Sequence, residues 1–142
     1  MPEAMIVATA RSPIGRAFKG SLKDMRPDDL ASQVVRALLA KVPAMSPDLV
    51  EDLMMGCGEP AGEAGFNIAR VVALLSGLDA APGVTVNRYC SSSLQTIRMA
   101  SHAIRAGEGD VFLAAGVEMT SRFGAGSSDT PGAQNALFAD AG

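Results

Sequence analysis

Apolar and polar positions along this 142-residue chain fall into blocks of two different periods. "AMIVATA", residues 4–10, is a short continuous apolar run, the pattern of a strand buried in a parallel sheet. "RSPIGRAFKGS" follows, broken by Pro13, Gly15 and Gly20, and is expected to be a loop. In "PDDLASQVVRALLAKV", residues 27–42, Leu30, Ala31, Val34, Val35, Leu38, Leu39 and Val42 recur in pairs every four residues, which predicts a helix. Pro27 suits its first position, Asp28 and Asp29 its positive end, and Lys41 its negative one.

"SPDLVEDLMMGCG" predicts a helical turn at Ser46–Leu49 and a strand over Asp52–Gly56. "FNIARVVALLSGL", residues 66–78, predicts a second helix ending near Gly77, and "GVTVNR", residues 83–88, another strand. "SSSLQTIRMASHAIRAG", residues 91–107, predicts a third helix with Leu94, Ile97 and Ile104 on one side and Gly107 as its stop. "DVFLAAGVE", residues 110–118, closes the series as a continuously apolar strand. Alternating strands and helices with crossovers of this length define an α/β unit with a parallel sheet. The third helix is rich in Ser and Ala around most of its circumference, as expected of a helix packed closely against more than one neighbour. From Phe123 onward the chain turns small, polar and Gly-rich, a linker or the start of an excursion.

Composition narrows the functional classes. With 48% hydrophobic residues and 19% charged, the chain can bury one sizeable core. A net charge of -3, five Phe, one Tyr and no Trp give neither the basic footprint nor the stacking surface of a nucleic-acid binder. Two cysteines and one histidine assemble neither a disulfide framework nor a zinc site. No apolar run reaches the length of a membrane span, and residues 1–10 lack the plan of a secretory signal. The expected setting is soluble, reducing and cytoplasmic, with neither nucleic acid nor membrane as partner and no metal.

The chemistry centres on "VNRYCSSSLQ", residues 86–95, where a β-branched run stops and a helix is predicted to begin. A cysteine at such a junction meets the free N–H groups and positive dipole end of the helix, which favour a thiolate nucleophile. A buried structural cysteine is an equally good account of Cys90 on position alone. Cys57, in "MMGCGEP", runs on into Gly and Pro and not into a helix, which favours a structural role. His102 is the only histidine, and twelve residues of helix place it about 18 Å from Cys90, beyond the reach of a base. "GCGEPAG" lacks the third glycine spacing of a dinucleotide loop, and no Walker or G-x-S-x-G motif occurs. Glu118 ends the last strand, where α/β sheets place functional groups, and bonding of neighbouring backbone explains it at least as well.

Taken together and in order, "ARSPIGR" at 10–16, "GCGEPAGEAGFNIAR" at 56–70, "VNRYCSSSLQTI" at 86–97 and "AAGVEMTSR" at 114–122 resemble the thiolase family, most closely its bacterial acetyl-CoA acetyltransferase and 3-ketoacyl-CoA thiolase branch. The resemblance implies an α/β fold, a β-α-β-α-β-α-β-β half with a layered sheet and helices on both faces. It implies that residues 1–121 form the N-terminal half-domain and residues 122–142 the start of a loop domain or linker. It also implies that Cys90 takes an acyl group as a thioester and passes it to coenzyme A, the co-substrate, within fatty-acid and lipid metabolism. In that scheme the Cys90 N–H lends itself to an oxyanion hole. Acyl-CoA substrates and a homodimer or tetramer are the partners it implies.

The family's G-H-P histidine, C-x-G cysteine and N-E-A-x-F asparagine do not occur here, so this chain by itself is expected to be inactive. Ser93 stands where Gly is usual after C-x-S, and Thr120 where Ser usually follows Met119; Gly116 and Glu118 keep the G-x-E pattern. Two other readings stand beside the acyltransferase: a non-catalytic thiolase-like binding or scaffolding subunit, and a doubly wound nucleotide-binding domain. The latter is disfavoured because no phosphate-cradling glycine pattern follows the first strand.

Overall fold

Three strands form the central sheet of the computed structural model, which describes residues 2–125. In chain order the regular elements are α1 (Pro27–Leu39), β1 (Asp52–Gly56), α2 (Ile68–Leu75), β2 (Gly83–Val86), α3 (Ser92–Ala106) and β3 (Phe112–Gly116). Short 3₁₀ segments stand at Pro47–Leu49, Gly62–Ala64, Tyr89–Ser91 and Thr120–Ala125. The sheet order is β2-β1-β3 and both pairings are parallel. Register is set so that Gly56 lies between Val86 on one side and Gly116 on the other.

Period-two alternation in β1 separates the two faces. Leu53, Met55 and Cys57 point into a core shared with Ala31 and Val35 of α1 and Ile68, Ala69, Val72 and Ala73 of α2. Leu53, Met55, Ile68 and Val72 are fully buried, each worth about 1.5–3 kcal/mol of transfer free energy. The other face carries α3, which packs on all three strands. The architecture is therefore α/β with a small parallel sheet covered by helices on both faces, as the sequence pattern and the resemblance imply.

Local chemistry explains the element ends. Pro27 opens α1, Asp28 beside it is buried, and the Arg26 guanidinium grips its carboxylate at 2.8 and 3.0 Å. Helix α2 starts at Ile68, later than its apolar run, because Asn67 sits in the left-handed region with φ 57°. The Asn67 amide donates to Gly83 O at 2.8 Å and its oxygen accepts from Thr85 Oγ1 at 2.7 Å, so the residue serves β2 and does not extend the helix. Gly107 (φ 76°) ends α3, with the Glu108 N–H bonded back to Ala103 O.

One expectation fails. Residues 4–10 form no strand; Met5, Ile6 and Val7 are 72%, 75% and 80% exposed. An apolar run reports a need for cover and does not name a partner, and among the described residues the sheet consists of β2, β1 and β3 without this segment. The segment is met instead by Lys41, whose Nζ donates to Thr9 O at 2.7 Å. Helix α3, expected from its Ser and Ala content to pack closely on its neighbours, turns small residues to the sheet. Ser92, Thr96, Ala100 and Ala103 are buried, while Leu94 and Ile97 are 69% and 47% exposed. Small residues win that face because α3 lies too close to the sheet for larger ones. Of the expected break after residue 121, only the turn at Thr120–Ala125 falls within the described residues.

Candidate active site

All three strands point their C-terminal ends toward one side of the sheet, where α/β folds assemble their sites. The loops that leave them bring together Cys57 and Gly58 after β1, Asn87 to Cys90 after β2, and Glu118 after β3. Cys90 is exposed and Cys57 is buried, so the two thiols face different environments. A cleft of about 360 Å³ is lined by Gly58, Glu59, Tyr89, Cys90, Glu118 and Phe123 among others. That volume lies within the range of small-molecule sites, about 300–1,000 Å³.

Cys90 does not abut the α-helix directly. It occupies the 3₁₀ turn Tyr89–Ser91, and Ser91 is the residue that precedes α3. Ser92 builds this junction: its hydroxyl accepts the Arg88 N–H at 2.8 Å and donates to Tyr89 O at 2.6 Å. Tyr89 takes a positive φ of 48°, a conformation that costs a residue with a side chain about 1–2 kcal/mol. Asn87 meets that cost locally. Its oxygen accepts the Tyr89 N–H at 2.8 Å, an Asx-type turn, while its amide donates to Gly58 O at 2.9 Å.

The carboxylate of Glu118 accepts the Gly58 N–H at 2.7 Å and lies 3.8 Å from Cys57 Sγ. The backbone-bonding account of Glu118 is thus the one the structure supports. Burial, reinforced by the negative charge of Glu118, pushes the Cys57 thiol up to about 11. Cys57 is accordingly held as a neutral thiol in the core, in keeping with a structural role. His102 is exposed on α3, a dozen residues beyond Cys90 along the chain. A paired network lies outside the cleft that Cys90 lines. Glu63 pairs with Arg122 through both carboxylate oxygens and with Arg26 at 3.2 Å, and these cations hold its carboxyl below the usual range. Among the described residues, no group of three or more His, Cys, Asp or Glu side chains is arranged to hold a metal. No helix among them is long and apolar enough to cross a membrane.

Asn87, Gly58 and Ser92 were not singled out in the sequence. The signal was present for Asn87, an Asx residue two positions before a tight turn at a strand end. Nothing in the sequence marks Gly58 as its partner, because that contact joins two strand ends separated by 29 residues.

A parallel α/β sheet with an exposed cysteine lining a cleft, on a turn feeding a helix, places the chain among the α/β folds that gather a site at the C-terminal ends of their strands. The chain matches the family model described as "Thiolase, N-terminal domain" over residues 4–135, and it belongs to the thiolase family. It is 44% identical over 119 residues to a 3-ketoacyl-CoA thiolase of Shewanella loihica, covering 83% of this chain and 31% of that protein. A 3-oxoadipyl-CoA/3-oxo-5,6-dehydrosuberyl-CoA thiolase of Escherichia coli is 43% identical over 123 residues, covering 86% of this chain and 30% of that protein. A 3-ketoacyl-CoA thiolase of Aeromonas hydrophila is 42% identical over 119 residues, again with 83% and 31% covered. The chain spans about a third of the length of the curated relatives it matches.

Proposed function

We propose that this chain is the nucleophile-bearing part of an acyltransferase that moves acyl groups between coenzyme A thioesters. The observation that carries the reading is the placement of Cys90: exposed, on a 3₁₀ turn at the C-terminal edge of a parallel sheet, and lining a cleft. Family membership and the names of the relatives support the substrate class, 3-ketoacyl-CoA and related thioesters.

In thiolysis the Cys90 thiolate attacks the keto carbon of a 3-ketoacyl-CoA. The bond between that carbon and its neighbour toward the thioester breaks, and the departing carbanion is protonated to give acetyl-CoA. The acyl group stays on Cys90 as a thioester until the thiolate of free CoA attacks it, releasing the shortened acyl-CoA. The reverse sequence condenses two acetyl-CoA molecules. Splitting carbon–carbon cleavage into two acyl transfers lowers each barrier. N–H groups of the turn around Cys90 are suited to hold the oxyanion of each tetrahedral intermediate.

The base and the second acid are assigned to residues outside this chain. The support is the position of His102, the sole histidine, about 18 Å of helix away from Cys90. The same reading divides the chain into a half-domain at 1–121 and the start of a loop domain at 122–142. A homodimer or tetramer and a cytoplasmic setting are inferred from the family alone.

Incubation with acetyl-CoA of the chain joined to a full-length thiolase C-terminal half, followed by mass analysis of peptides, tests the proposal. The expected result is an acetyl adduct confined to the peptide carrying Cys90 and lost on treatment with hydroxylamine. Labelling only at Cys57, or no adduct once the protein is joined to a full-length C-terminal half, overturns it and favours a binding or scaffolding role.

A further inference from the structure

A continuous chain of hydrogen bonds runs from β3 to the residue before the nucleophile, and the acyl-transfer scheme does not use it. It begins at the Glu118 carboxylate, which accepts the Gly58 N–H at 2.7 Å. The Gly58 carbonyl accepts from Asn87 Nδ2 at 2.9 Å, and Asn87 Oδ1 accepts the Tyr89 N–H at 2.8 Å. Tyr89, with φ at 48°, hands the chain on to Cys90. Left alone, a tyrosine returns to negative φ, since its Cβ crowds the backbone in the left-handed region. A reversal of φ at Tyr89 redirects the peptide that leads into Cys90.

We propose that Asn87 and Glu118 are positioning residues that hold Tyr89 in its left-handed conformation and so fix the direction from which Cys90 enters the cleft. Asn87 acts at two ends at once. Its side chain is an amide, so one atom accepts and the other donates; a carboxylate there would face the Gly58 carbonyl oxygen with no proton to offer. Glu118 supplies the other anchor, because Gly58 without it is a glycine free to move with its loop. A Cβ on that glycine would lie 2.8 Å from Glu118 Oε2, so a larger residue there would push aside the carboxylate that anchors it. The chain thus ties the ends of all three strands to one backbone angle. The inference rests on the reading of Cys90 as the nucleophile, and it adds the residues that aim it.

The test is a rate of alkylation of Cys90 by iodoacetamide, read by peptide mass at fixed pH, in a double-mutant cycle with Tyr89→Gly. Glycine adopts positive φ at no steric cost, so it removes the need for the clamp. Asn87→Ala is expected to lower the rate about tenfold, the ratio that a strain of about 1.4 kcal/mol yields. The same substitution in the Tyr89→Gly chain is expected to change the rate less than about twofold. Glu118→Gln keeps an oxygen for the Gly58 N–H and is expected to retain the rate, whereas Glu118→Ala does not. An unchanged rate in Asn87→Ala, or an equal loss with and without Tyr89→Gly, overturns the inference. Should Asn87→Ala fail to fold, Asn87→Asp tests the Gly58 anchor alone, since it keeps the acceptor for Tyr89 and loses the bond to Gly58; a lower rate that Tyr89→Gly abolishes is expected, and an unchanged rate overturns the inference. Failure of the acyl-transfer reading shows separately, as an unsubstituted protein that alkylates at Cys90 yet never carries an acetyl group there.

Discussion

Gly56 and Gly116 stand side by side in register on neighbouring strands, and the first turn of α3 lies across both of them. A Cβ on Gly56 would approach the Ser92 carbonyl carbon and the Ser93 nitrogen to 2.6 Å, while one on Gly116 would collide with the Ser93 hydroxyl. This bare patch of sheet lets the Cys90 turn sit directly over the strand ends. It also explains why α3 presents Ser92, Thr96 and Ala100 inward and leaves Leu94 outside.

The two glycines differ in what they meet, so their substitutions should differ in rescue. Gly116→Ala is expected to destabilise the chain by about 1–3 kcal/mol, the usual range for overpacking. Adding Ser93→Gly, which restores the residue usual in the family motif, should recover most of that loss. Gly56→Ala meets backbone, and Ser93→Gly should not rescue it. Urea midpoints of the four variants decide the matter.

Cys57 gives a stability change with a definite sign. Its thiol ordinarily ionises near 9 but only at about 11 in the fold. Between those values the unfolded chain loses its proton first, so stability falls as pH rises through that window and levels off above it. About two units correspond to about 2–3 kcal/mol at most. Cys57→Ala should flatten the alkaline limb of a stability profile while leaving the neutral region shifted only by the lost packing.

The same environments predict selective labelling. Cys90 is exposed and Cys57 is 1% exposed, so a limiting dose of iodoacetamide at neutral pH should modify Cys90 alone. In denaturant both thiols should react alike. Equal labelling of the folded chain would contradict the placement of Cys57 in the core.

Glu63 ties the loop after β1 to Arg26 ahead of α1 and to Arg122 after β3. Its carboxyl is held low by those cations, so its contribution is present at neutral pH and disappears as pH falls through the lowered folded value. Glu63→Gln should weaken the acid dependence of stability. High salt should narrow the difference between the two proteins, because these groups are only partly shielded.

Sequence alone determined the alternating elements, since each helix and strand core is written in the period of its own apolar residues. Asp52–Gly56 and the start of α1 at Pro27 follow directly from that signal and from local end chemistry. It also determined which cysteine stood at a strand-to-helix step, because that step is a break in a local pattern. The motifs named the family for the same reason: they are contiguous.

Only the tertiary structure decided the rest. Periodicity states that a side chain wants cover and cannot state which surface provides it, so residues 4–10 were expected in the sheet and lie outside it. For α3 the sequence put Leu94, Ile97 and Ile104 on one side without saying which side meets the sheet; the space over Gly56 and Gly116, and not hydrophobicity, chose the inward face. The clamp from Glu118 through Gly58 and Asn87 to Tyr89 joins residues from three strand ends. Hydrogen bonds between such distant positions leave no spacing in the chain to read; they exist once the parallel register has brought the ends together.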